Sequence, residues 1–173
     1  MRIAEKQITF GVIVGTRGFF NPDHARNARK DIVAKLEKEG YGCVIPPAEA
    51  TGHGAIETLE HARIAAAHFR QHAEEIDGLV VLLPNFGDEI AVAETISRAK
   101  LDVPVLVQAS KDDVNKVDVK GRRDSFCGKI SVCNNLVQYG IPFTDTTNHT
   151  VDIDSEEFSG DLDLFARVCR LVR

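Results

Sequence analysis

The chain has 173 residues, 43% of them hydrophobic and 27% charged, which is enough for one domain with a sizeable core and an ordinary soluble composition. No apolar run reaches the roughly 18 residues of a membrane-spanning helix, and the formal net charge of -5 argues against a general nucleic-acid surface. The N-terminus reads without a charged-then-apolar secretory leader, so a cytoplasmic location is expected, with neither nucleic acid nor membrane as partner.

The chain opens on Ile8-Thr9-Phe10-Gly11-Val12-Ile13-Val14-Gly15-Thr16. This nearly unbroken apolar run, rich in β-branched residues, suits a strand buried on both faces of a parallel sheet. Arg17-Gly18-Phe19-Phe20 follows as a loop. Asn21-Pro22-Asp23 opens a helix, with Asn21 as cap, Pro22 at the first helical position and Asp23 near the positive end of the dipole. Its apolar stripe is Ala25, Ala28, Ile32, Val33 and Leu36, and Glu39-Gly40 ends it with glycine as a left-handed cap. Residues 41–45 read as the second strand, stopped by Pro46-Pro47.

After a loop over residues 48–54, a second helix is expected over 55–76, broken by Asp77-Gly78. Residues 79–83 are five consecutive aliphatics and read as a third strand, again buried on both faces. Pro84-Asn85-Phe86-Gly87-Asp88-Glu89 is the loop at its carboxyl end, and a helix follows to about Lys100. A fourth strand is expected over 103–107. Residues 108–124 are polar and charged, the kind of long loop that is functional or mobile inside a compact domain. Ser125 reads as the cap of a helix reaching Tyr139 and closed by Gly140. Residues 142–147 read as the fifth strand, and Asp154-Ser155-Glu156-Glu157 starts a last helix that runs to the C-terminus.

Five strands alternating with five helices require right-handed crossovers and a parallel sheet. The expected fold is therefore α/β: a three-layer, doubly wound, five-stranded parallel sheet of flavodoxin-like order 2-1-3-4-5, forming one domain over residues 1–173. Its switch point lies between strands 1 and 3. There residues 16–20 face residues 84–89, bringing together one guanidinium, one amide, two carboxylates and three phenyl rings. Flat rings beside fixed polar groups suit a sugar, and the donor fork of Arg17 suits a hydroxyl pair or a carboxylate. Alternatively, the rings cap the core, and Asp88 and Glu89 simply start a helix. Gly15-Thr16-Arg17-Gly18 matches neither GxGxxG nor GxxxxGK[ST], so a nucleotide is not expected there.

Cys43, Cys127, Cys133 and Cys169 form no CxxC pair and read as reduced thiols, Cys43 and Cys169 within apolar runs. Cys127 and Cys133 would lie on different faces of one helix and make a poor chelating pair. His61, His68 and His72 fall on the second helix. His68 and His72, four apart, have the spacing of a two-histidine metal site, but no HExxH pattern accompanies them and a solvated face is the ordinary reading. His24 falls early in the first helix, and His53 and His149 are rim residues in loops. The charged stretch Lys120-Gly121-Arg122-Arg123-Asp124-Ser125-Phe126-Cys127-Gly128-Lys129 either offers a helix N-terminus to an anion or is a solvated loop. No complete catalytic set and no metal cage emerges.

Four strings carry a resemblance. They are Gly15-Thr16-Arg17-Gly18-Phe19-Phe20-Asn21-Pro22, Leu83-Pro84-Asn85-Phe86-Gly87-Asp88-Glu89, Val103-Pro104-Val105-Leu106-Val107-Gln108, and the most specific, Arg122-Arg123-Asp124-Ser125-Phe126-Cys127-Gly128-Lys129-Ile130-Ser131-Val132-Cys133-Asn134-Asn135-Leu136. Together they resemble the N-terminal domain of the L-fucose/L-arabinose isomerase-like family. The resemblance implies the first domain of a longer aldose–ketose isomerase. Such an enzyme uses a divalent metal, usually manganese, and acid–base carboxylates that later domains supply, so no catalytic or metal-binding residue is carried onto this chain. It further implies a homo-oligomer in which this domain helps recognise a small sugar in a neighbouring subunit's site. The substrate-binding residues expected are Arg17, Phe19, Asn85, Phe86 and Asp88, with Phe86 standing where fucose isomerases have tryptophan in a different local sequence. Exposed Phe19, Phe20 and Phe86 would mark an interface. The alternative is a stand-alone flavodoxin-like module that binds a sugar or phosphate without catalysis.

Overall fold

A computed structural model describes residues 6–172. The elements run β1 Thr9–Val14, α1 Pro22–Lys38, β2 Gly42–Val44, α2 Leu59–Gln71, β3 Gly78–Leu83, α3 Glu89–Ala99, β4 Val105–Ala109, α4 Ser125–Gln138, β5 Thr144–Asp145 and α5 Glu156–Val172. The sheet is parallel throughout, with order β2-β1-β3-β4-β5. The doubly wound fold read from the sequence is the fold observed. The last helix extends as far as Val172, and Arg173 lies outside the described residues.

Burial on both faces follows from the two-residue period of a strand. Phe10, Val12 and Val14 of β1, with Val80 and Leu82 of β3, join the core beneath α1 and α5. Ile13, Leu79, Val81 and Leu83 point the other way, beneath α2, α3 and α4. On the first side the Phe10 and Phe165 rings stack 5.5 Å apart. On the second, Ala62, Ala65, Ala66, Ala91 and Ala93 are all buried, small enough for α2 and α3 to pack closely. Gly78 admits α5 to the sheet: a Cβ there would lie 2.6 Å from Cys169 Sγ.

Several boundaries differ from the sequence reading. Residues 55–56 are not helical. They are extended along β1, with Ile56 donating to Val14 O (2.7 Å) and accepting from Thr16 N (2.9 Å), so α2 starts after Thr58, whose hydroxyl accepts from His61 N. It also ends earlier, at Gln71. β4 begins two residues later than expected, past the left-handed Asp102 (φ 52) and past Pro104, which has no N–H to give the ladder. Gln108 consequently belongs to the strand and is buried, its amide donating to Val151 O at 2.6 Å. Ser125 is the first residue of α4 rather than its cap. The Asp112 carboxylate takes that role, accepting from Ser125 N (2.9 Å) and Phe126 N (3.1 Å). β5 shrinks to two residues, and Val33 of the expected stripe faces solvent. Asn21 caps α1 as read, and Gly40 adopts φ +81 beyond its end.

The four cysteines are free. Burial raises the thiols of Cys43 and Cys133 to about 11 and that of Cys169 to about 12, from an ordinary 9.0; Cys127 is exposed. A thiol that ionises more readily in the unfolded chain stabilises the fold fully below pH ~9, and that contribution is lost as pH rises through the folded values. The urea midpoint should therefore hold up to about pH 9 and fall above it. A thiol-reactive dye at pH 8 should label Cys127 rapidly, the half-buried Cys43 and Cys133 slowly, and Cys169 only after denaturation; rapid labelling of Cys169 would contradict the packing of α5.

Candidate functional site at the switch point

The loops after β1 and β3 meet backbone to backbone. Gly15 N donates to Leu82 O (2.9 Å), and Asp88 N donates to Thr16 O (3.1 Å). The Asn85 side chain, fully buried, donates to Thr16 Oγ1 at 2.9 Å and accepts from Gly87 N at 3.1 Å. Gly87 takes φ +71, and a Cβ there would sit 2.8 Å from Leu83 Cδ2 and 3.5 Å from Gly15 C. A bulkier residue would be strained and would also force the loops apart.

On this base Arg17 projects across the switch point. Its Nη2 donates to Glu89 Oε2 and lies 3.6 Å from Asp88 Oδ2. Its Cζ lies 4.7 Å from the centre of the Phe86 ring, within the range of a cation–π contact. Asp88 does two jobs: Oδ1 caps α3 by accepting from Ala91 N at 2.8 Å, while Oδ2 faces the guanidinium. The side chain of Arg17 remains 38% exposed, and among the described residues its Nε and Nη1 take no partner. A third carboxylate, Glu57, lies against Gly18, where an added Cβ would collide with it. The Arg17 guanidinium itself is paired with two carboxylates, those of Asp88 and Glu89.

Of the residues expected in the site, Arg17, Phe86 and Asp88 converge here. Asn85 lies beneath them with both its donor and its acceptor engaged in the scaffold. Phe19 stands outside the cluster, 65% exposed, and meets the Phe20 ring edge-on at 5.5 Å. Phe20 is not exposed as expected. At 7% exposed it is buried, following a turn in which its N–H donates to Arg17 O at 2.9 Å. Phe86 is half-buried under Arg17. Glu89, Glu57 and Thr16 were not among the residues expected to bind. Glu89 reads as an ordinary first-turn acid, Thr16 opens the switch-point loop without being singled out to bind, and nothing local in the sequence marks Glu57.

The remaining candidates do not assemble into sites. The positive end of α4 is filled by the chain's own Asp112. Lys129, in the same stretch, is 3% exposed and bound to Asp145, Thr146 Oγ1 (2.7 Å) and His149 O (2.9 Å). The His68 and His72 rings lie 4.8 Å apart, but His72 Nδ1 pairs with Glu75 at 2.8 Å. Burial, then His72, lowers the pKa of His68. His24 is also lowered, by burial and then by Arg123, and its buried Nε2 has no hydrogen-bond partner among the described residues. It lines an open groove of about 560 Å³ beside α1, away from the Arg17 cluster. His53 Nδ1 lies 2.9 Å from Arg26, and the His149 ring lies 5.4 Å from Phe126. Among the described residues no group of three or more His, Cys, Asp or Glu side chains is placed to hold a metal ion.

Arg17 and Asn85 separate ligand binding from scaffolding. Arg17→Ala removes half-exposed ion pairs and should change folding stability by no more than about 1 kcal/mol. Asn85→Ala strands the Thr16 hydroxyl and the Gly87 N–H and should cost about 2–3 kcal/mol. Urea denaturation of both variants checks this, and equal losses would make Arg17 a structural pin instead. Compared with known families, the chain matches the model described as fucose/sulfoquinovose isomerase, N-terminal domain, over residues 11–173. No curated protein matches it. With the match spanning all but the first ten residues, the chain belongs to the fucose/sulfoquinovose isomerase N-terminal-domain family.

Proposed function

We propose that this chain is the substrate-recognition domain of a longer, oligomeric aldose–ketose isomerase of the cytoplasm, and that the Arg17–Phe86–Asp88–Glu89 cluster holds the sugar. The observation that carries the reading is a half-exposed guanidinium, fixed over an aromatic face at the switch point of a chain of this family. Its two unengaged donor positions suit a pair of sugar hydroxyls, and Asp88 and Glu89 can accept from neighbouring hydroxyls. Phe86, and Phe19 from the rim, offer apolar surface to the C–H faces of a sugar ring. Phe19 and Val119, each 65% exposed, also support assembly with another subunit.

Charge narrows the substrate. Arg17 is already paired with two carboxylates, so an anionic sugar would bring its charge against Asp88 and Glu89. An uncharged aldose brings none. This weighs against a phosphate-binding module and, between the two substrates in the family's description, favours the uncharged one.

The resemblance implies a divalent metal and a proton shift between adjacent carbons. The described residues offer no fitting donor set, so both are assigned to the rest of the enzyme, and this chain's contribution is to bind and orient. In the native gene product the intact mass should lie far above 19.0 kDa. There Arg17→Ala should raise KM for the aldose about ten- to a hundredfold, the worth of a hydrogen bond to a charged group, with kcat much less affected. A native mass near 19.0 kDa would leave the stand-alone module, and an unchanged KM would remove Arg17 from the site.

A further inference from the structure

α4 contributes no side chain to the Arg17 cluster, yet it touches the loop beneath it more closely than any side chain would allow. At Gly128 a Cβ would lie 2.6 Å from Phe86 Cα and closer still to the Phe86 carbonyl carbon and oxygen. All three clashing atoms are backbone, so no rotamer change relieves them. Nor does Gly128 serve a turn: it lies in the second turn of α4, with its N–H bonded to Asp124 O at 3.0 Å, and its φ is not positive. Glycine inside a helix is worth about 0.5–1 kcal/mol less than alanine, so the position is explained by close approach and by nothing local. Just ahead of α4, Arg123 Nη1 donates to Pro84 O at 2.9 Å. The two residues flanking Asn85 are thus seated from this side, Pro84 by Arg123 and Phe86 by Gly128, while Asn85 itself is bonded to Thr16.

We infer that Gly128 is a positioning residue for sugar recognition: it sets the depth of Phe86, and so the place of the guanidinium that rests on that ring. Adding one methyl group pushes the Phe86 backbone away from α4. The loop cannot retreat as a unit, because Asn85 and Asp88 hold it to Thr16. The ring therefore tilts or lifts, and Arg17 loses its platform while keeping its carboxylate partners. This rests on the assignment of Arg17 to the sugar site.

The test uses Gly128→Ala, with Gly160→Ala as the helix-glycine control, since nothing lies within 4 Å of a Cβ at Gly160. In the 173-residue chain, Gly128→Ala should shift the NMR resonances of the Phe86 ring and of Arg17 Hε, and Gly160→Ala should not. In the native-length enzyme, Gly128→Ala should raise KM for the aldose roughly tenfold or more, the order expected for a group misplaced by part of an ångström, with kcat changed much less. A folded Gly128→Ala chain with unmoved Arg17 and Phe86 resonances and an unchanged KM overturns the inference. Should that variant fail to fold, Arg123→Ala decides, because it frees the same loop without adding an atom: a raised KM supports the inference and an unchanged one overturns it. If the Arg17 resonance moves but neither Gly128→Ala nor Arg17→Ala alters KM, the positioning stands and the sugar assignment falls.

Discussion

Parallel pairing sets Val14 of β1 against Leu82 of β3, and the carboxyl edge of the sheet is built on that register. Because it holds, the chain beyond Val14 continues the ladder for one more residue on each side, through Gly15 N to Leu82 O and Thr16 N to Ile56 O. Thr16 then arrives beside Asn85, and Arg17 emerges where it can reach across to Phe86, Asp88 and Glu89. A slip of one residue would exchange the two faces of β1, sending Phe10, Val12 and Val14 under the wrong helices. The apolar alternation that buries both faces of the strand therefore also places the guanidinium.

With both faces of β1 and β3 covered, no polar group can lie along the strands without an energetic penalty. Function is displaced to the loops at their ends, where backbone groups must find partners as well. The two loops solve this jointly. Asn85 satisfies the Thr16 hydroxyl and the Gly87 N–H, Asp88 closes the first turn of α3, and Thr16 O takes the Asp88 N–H. What remains outside this network is one cation with spare donors, its two carboxylate partners and a ring face. Arg17 is half-exposed and paired, which suits the proposed role of meeting neutral hydroxyls.

The order of the elements was legible because the signals were local: apolar runs for β1 and β3, Asn21-Pro22-Asp23 for the start of α1, Gly40 for its end. So was the switch point, since strand order alone places residues 16–20 opposite 84–89. What escaped was contact between residues distant in sequence. Ser125 looks like a cap, but Asp112, thirteen positions earlier, folds back and takes the helix end. Phe20 resembles Phe19 in the sequence, and only the turn of the loop sends one inward and leaves the other in solvent. Residues 55–56 were drawn out of the expected helix by a bridge to β1 that no periodicity announces. Asn85 reads as a ligand-facing amide, yet it is the tie that joins the loops.

Gly128 shows the same limit from the other side. A lone glycine in a helical pattern signals only a small propensity cost, and its use is visible only when the facing backbone is known. That facing backbone belongs to Phe86, so the cost falls at the one loop where a fixed ring matters. Recognition of a small flexible ligand gains most from groups held in place before binding, since ordering them afterwards would consume the affinity they provide. Here the ring is held from α4 by close approach, the amide beneath it from β1 by hydrogen bonds, and the guanidinium from α3 by two carboxylates. Three elements that share no sequence proximity thus fix one small surface, as a binding domain needs, whether or not the chemistry is done by other parts of the enzyme.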